Sequence, residues 1–81
     1  MQKDKINMLT LLLLYLNSWE EKGYFEPVRR AWKGHDFDTL NKLEEEGLIT
    51  QSKTAKSLFL TEKGIEVAKG LESLLNNLKV E

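Results

Sequence analysis

The sequence predicts a mainly α fold that carries one small antiparallel β-hairpin. Three observations predict it. A short amphipathic helix with both ends marked occupies about 37–46. Two short apolar segments flank a polar loop over about 48–60, which is a hairpin signal. Longer segments with helical apolar spacing stand on either side, over about 4–22 and 62–78. At 81 residues the whole chain, 1–81, reads as a single domain.

The central helix is the best-marked element. Asp36 is placed as its N-cap, where a carboxylate can accept the amide hydrogens left free in the first turn. Asp38 sits in that turn, where the helix dipole favours negative charge. Phe37, Leu40 and Leu43 recur at intervals of three and give one apolar face. Gly47 suits the left-handed residue of a Schellman ending, with Leu48 closing back onto Leu43. Leu48–Gln51 and Ser57–Leu60 then read as strands around the loop Ser52-Lys-Thr-Ala-Lys56. Thr61 is placed as the N-cap of the last helix.

The first helix is expected to end at Gly23, with Trp19 and Tyr24 meeting in its closing contact. Ile6, Leu9, Leu13 and Leu16 form one of its faces; Met8, Leu12, Tyr15 and Trp19 form another. A helix apolar over so much of its circumference must be covered on more than one side. Tyr24-Phe25 reads as a short strand joining the hairpin. Pro27 suits the first position of a short helix over 27–33, ended by Gly34. That helix would cross the central one sharply, as a helix-turn-helix requires. In the last helix Ile65, Ala68, Leu71 and Leu75 form one face, and Val67, Leu71, Leu74 and Leu78 an adjacent one. Gly70 in mid-helix is expected to permit close approach of another backbone.

Two resemblances follow from these residues. Leu43-Glu-Glu-Glu-Gly-Leu-Ile49, a hairpin, and Leu60-Thr-Glu-Lys-Gly64 resemble the L-x-x-x-G-L-I … L-T-x-x-G pattern of winged-helix proteins, including bacterial regulators of the MarR and PadR type. The fold this implies is a winged helix-turn-helix. Arg30-Ala-Trp-Lys-Gly-His-Asp-Phe-Asp38 and Leu13-Leu-Tyr-Leu16 resemble runs in a family of small bacterial proteins known only as a domain of unknown function. That family's K-A-K-S-V-V-L-T-x-x-G run is matched with departures: Thr54 stands for the first lysine, and Leu58-Phe59 for the valine pair. The family resemblance covers most of the chain and implies a fold without an activity.

Composition narrows the function. The net charge is −1 and the isoelectric point about 5.9, which is not the profile of a basic nucleic-acid domain. No cysteine is present, so neither a disulfide nor a thiolate metal site can stabilise so small a core. Self-association is the remaining common route. The two broad terminal helices predict a homodimer packed through them across a two-fold axis; the alternative is that both faces serve one monomer. The apolar run Leu9–Leu16 is too short to span a bilayer. With Asp4 ahead of it and no small-residue cleavage site after it, it is not read as a signal peptide. The expected location is cytoplasmic, with no membrane partner.

No nucleophile–base pair, phosphate loop or zinc-ligand spacing is visible, so no catalytic role, cofactor or metal is predicted. His35 stands beside Asp36 and Asp38, but both acids are explained by the helix they begin. The leading functional expectation is a DNA-binding or transcription-associated protein, by analogy with the fold. Arg29, Arg30 and Lys33, with Lys53 and Lys56 on the wing, are the candidates for phosphate, and Thr39 and Lys42 for base edges of double-stranded DNA. Arg30 can instead pair with Asp36 or Asp38, and Trp32 reads as core rather than as a stacking platform. Glu44, Glu45 and Glu46 at the end of the central helix oppose both the dipole and phosphate. The alternative is a protein-interaction module or adaptor. DNA binding requires the basic residues to share one face away from the glutamates; an interaction module tolerates a broken patch.

Overall fold

A computed structural model describes residues 2–78. Its element order is α1 (Gln2–Leu16), β1 (Trp19–Glu21), β2 (Val28–Trp32), α2 (Phe37–Glu45), β3 (Ile49–Gln51), β4 (Ser57–Leu60) and α3 (Glu62–Asn77). The four strands form one antiparallel sheet in the order β1-β2-β4-β3. The fold of the described residues is therefore mixed, with three helices and a sheet larger than the predicted hairpin with its one short added strand.

The elements with marked ends form as expected. The Asp36 carboxylate accepts the Thr39 amide hydrogen at 3.1 Å. Gly47 has φ of 77°, and the amide of Leu48 donates to the Leu43 carbonyl at 3.0 Å while that of Gly47 donates to Glu44 at 2.9 Å. Those two bonds are the Schellman pair. Thr61 caps α3, its hydroxyl oxygen accepting the Gly64 amide hydrogen at 3.0 Å. The expected hairpin forms as β3 and β4, in the register Ile49 with Leu60 and Gln51 with Leu58.

The stretch between α1 and α2 is where expectation fails. Helix α1 stops at Leu16, and Trp19–Glu21 is a strand where the first helix was expected to continue. Residues 28–32, expected within a helix over 27–33, form the central strand β2. Consequently, among the described residues, the helix pair expected before the hairpin and its sharp crossing are absent. Tyr24 and Phe25 do not join the sheet. They lie fully exposed in the β1–β2 connection, so Tyr24 makes no closing contact with Trp19. The physical reason is tertiary: as a strand the segment bonds to β1 on one side and β4 on the other and turns Ala31 into the core while Trp32 stays exposed.

One face of the sheet packs on the helices. Leu58, Leu60, Ile49 and Ala31 meet Leu11 and Leu14 of α1, Leu40 and Leu43 of α2, and Ala68 of α3 in a single core. Gly64 makes the turn into α3 possible: a Cβ there would lie 2.0 Å from the Leu48 carbonyl oxygen. Gly70 has no neighbour within 4 Å of the corresponding position, so the close approach expected there does not occur.

Candidate interaction surfaces

The basic residues expected on phosphate do not share one face. Adjacent residues of a strand point to opposite sides, which separates Arg29 from Arg30. Arg29 lies on the helix side, where its Nη1 donates to Ser18 Oγ at 2.9 Å and its guanidinium sits 5.4 Å from the Tyr15 ring centroid. Arg30 lies on the outer side and pairs with Glu21 at 3.2 Å, not with Asp36 or Asp38. Lys33, Lys53 and Lys56 do gather at the β3–β4 loop. The Lys33 ammonium donates to the Ser52 carbonyl, and Lys33 and Lys53 line one cleft with Phe37 and Asn41.

On α2 the expected base-reading residues fare worse. Thr39 is buried, with its hydroxyl 3.4 Å from the Asp36 carboxylate, so it cannot reach a base. Lys42 borders a cleft that it shares with Asp4, Asp36 and Asp38, acidic surroundings that oppose phosphate. Glu44 has a structural role the sequence did not suggest. Its carboxylate accepts the Gln51 backbone amide at 3.1 Å and the Gln51 side-chain amide at 3.2 Å, tying α2 to the edge strand β3. Lys63 Nζ donates to the Glu46 carbonyl at 3.0 Å, placing a cation at the C-terminal end of α2. Among the described residues no group of three His, Cys, Asp or Glu can hold a metal ion, and no helix is long and apolar enough to cross a membrane.

Two apolar surfaces remain open. The first is the outer face of the sheet. The registers align Trp19, Arg30, Phe59 and Thr50 straight across the four strands. Trp32, expected in the core, is 64% exposed on this face, its ring 4.9 Å from that of Trp19. The second is the side of α1 turned away from the core. Ile6, Leu9, Leu13 and Leu16 are between 48% and 61% exposed. Beside them a groove between α1 and α3 is lined by Met8, Leu9 and Leu71, with Asp4 and Lys5 at its rim. Leu74, Leu75 and Leu78 continue the Leu71 side of α3 and are also exposed.

The comparisons with known proteins bear on family. The model of the family described as domain of unknown function (DUF6429) matches residues 2–78. The uncharacterized protein y4hR of Sinorhizobium fredii (strain NBRC 101917 / NGR234) is 41% identical over 64 residues, covering 78% of this chain and 77% of the relative. No solved structure matches. The match to a small bacterial family, implied above by the run Arg30–Asp38, spans almost all of the chain: it belongs to the DUF6429 family.

Proposed function

We propose that the chain is a non-catalytic protein-interaction module whose working surface is the outer side of α1 with the adjoining end of α3. The observation that carries this reading is the row Ile6, Leu9, Leu13, Leu16, about half exposed along one side of a helix. Apolar surface gathered in this way marks an interaction site, whereas single exposed leucines need no explanation. The separation of Arg29 from Arg30, the burial of Thr39 and the acidic surroundings of Lys42 support it over a duplex-DNA grip. We read the fold as a winged-helix relative in which strand β2 replaces the first helix of the usual pair. Its support is the hairpin β3–β4 with β2 beside it and α2 leading into it. A cytoplasmic location accords with the absence of cysteine.

The test is in-cell photo-crosslinking from a benzoylphenylalanine at position 13, with position 66 on the exposed side of α3 as control. The expected result is a discrete protein adduct from position 13 and none from 66. No adduct from position 13 overturns the reading.

One observation favours a second reading, in which the wing binds DNA: Lys33, Lys53 and Lys56 cluster at the β3–β4 loop. Fluorescence anisotropy of mixed-sequence duplex at about 50 mM and about 200 mM salt tests it, since binding through several phosphates falls by orders of magnitude between those conditions. No binding at tens of micromolar protein at the lower salt removes the wing from consideration.

A further inference from the structure

We infer that α1 pairs with α1 of a second copy, antiparallel about a two-fold axis that passes between Leu9 and Leu13. This rests on reading the α1 side as an interaction surface and names its partner. Ile6, Leu9, Leu13 and Leu16 are separated by three, four and three residues, the a and d positions of a heptad seam. That spacing is the same read in either direction. When two such helices run antiparallel, Ile6 therefore meets the second copy's Leu16, and Leu9 meets its Leu13. Every layer then joins an a position to a d position, and each contact occurs twice, as an isologous interface demands.

Charge is compatible with the same partner. From Ile6 to Ser18 the chain contains no Asp, Glu, Lys, Arg or His. Interface cores are depleted of charge in this way. A surface without charge offers nothing to steer or discriminate a charged partner, but it complements its own copy. The groove lined by Met8, Leu9 and Leu71 adjoins the seam, and the exposed leucines of α3 extend it. Together these exposed side chains extend the apolar area beyond the seam itself, toward the ~800 Å² per partner that a standard specific interface buries. The outer face of the sheet is less suited to self-pairing, because the Arg30–Glu21 pair crosses its centre.

The experiment uses purified full-length chain. Sedimentation equilibrium should give twice the 9.4 kDa protomer mass at about 50 μM, a concentration above the Kd of a micromolar pair. Leu13→Glu places two like charges in the seam, one from each copy, and should weaken association at least ~100-fold while leaving the circular dichroism of the exposed site unchanged. Register is read with cysteines, since the chain has none of its own. Under mild oxidation, Ile6→Cys mixed with Leu16→Cys should give a disulfide-linked heterodimer, and neither variant alone should crosslink. In the antiparallel arrangement position 6 lies about 15 Å along the axis from its own counterpart. Self-crosslinking of Ile6→Cys, or a monomer at that concentration, overturns the inference. A monomer leaves the interaction-module reading standing if position 13 still gives an in-cell adduct, and the adduct's mass separates a second 9.4 kDa copy from a different protein.

Discussion

The guanidinium of Arg30 lies 4.4 Å from the centroid of the Phe59 ring, directly across the strand pair β2–β4, while its Nη1 reaches Glu21 on β1 at 3.2 Å. One side chain thus ties three strands together on the face that no helix covers. The Glu21 side chain is 45% exposed, so the ion pair is screened and adds little. The contact with Phe59 is the larger part. A double-mutant cycle on Arg30→Ala and Phe59→Leu should give a coupling of about 0.5–1 kcal/mol in urea unfolding. A coupling near zero would mean that the ring merely lies beside the cation.

Arg30 also carries a cost. Its Nε is buried without a hydrogen-bond partner. Leaving such a donor unsatisfied costs ~1–3 kcal/mol, and the aliphatic stem packs independently of the charge. Arg30→Met keeps the stem and removes both the unpaired donor and the cation. It should therefore lie within about 1 kcal/mol of the parent, whereas Arg30→Ala should lose roughly 1–2 kcal/mol through lost packing. Equal losses for the two would locate the stabilisation in the charge instead. Thermal melts at matched ionic strength distinguish these outcomes.

The two glycines of α3 should respond in opposite directions. At Gly64 a new Cβ would meet the Leu48 carbonyl oxygen at 2.0 Å and its carbon at 2.9 Å, both backbone atoms. The same carbonyl accepts the Thr61 amide at 3.1 Å, so it cannot yield without opening the corner between the β3–β4 hairpin and α3. Gly64→Ala should cost on the order of 3 kcal/mol or more. Gly70 has open space around it, and Gly70→Ala should stabilise by about 0.5–1 kcal/mol through helix propensity and a less flexible unfolded chain. Paired urea titrations check both signs.

These contrasts show where the sequence was legible. Elements closed by side-chain chemistry could be read: Asp36 and Thr61 cap, Gly47 turns, and the structure places α2, the hairpin and α3 where those signals stand. Val28–Trp32 could not be read as a strand, because five residues after a proline satisfy a first helical turn as well as an alternating pattern. Burial decides between them. Ala31 belongs under α1, and that requirement comes from tertiary packing alone. The displaced residues explain the misplaced site. Turning a helix into a strand sent Arg29 and Arg30 to opposite faces and brought Trp32 to the surface. The row Ile6, Leu9, Leu13, Leu16 was visible as a face from the start; that it is the uncovered one follows only from which side α2, α3 and the sheet occupy.

The two caps should be separable from packing. Thr61 both accepts from Gly64 and donates to the Gly47 carbonyl at 2.7 Å, whereas Asp36 serves the first turn of α2 alone. Thr61→Ala should cost about 1–2 kcal/mol and Asp36→Ala about 1 kcal/mol. Thr61→Ser, which keeps both bonds, should recover most of the loss. Failure of serine to recover it would assign the effect to the threonine methyl group rather than to the cap.

Arg29 offers a last discrimination, between a residue that builds the fold and one that meets a ligand. Its Nη1 donates to Ser18 Oγ at 2.9 Å, and that hydroxyl in turn donates to the Tyr15 carbonyl near the end of α1. The chain of bonds closes the turn from α1 into β1 and holds Arg29 beside the Tyr15 ring. A bond with one charged partner is worth about 1.5–3 kcal/mol, less where solvent reaches it as it does here. Arg29→Ala should therefore lower stability by about 1–2 kcal/mol, while Lys56→Ala, exposed on the wing, should stay within about 0.5 kcal/mol of the parent. Duplex-binding anisotropy on the same pair sharpens the distinction. If the wing meets DNA, Lys56→Ala lowers the affinity and the salt slope without changing stability, whereas Arg29→Ala changes stability with little effect on the slope. A reduced slope for Arg29→Ala at unchanged stability would return it to the phosphate surface from which its partners in the fold remove it.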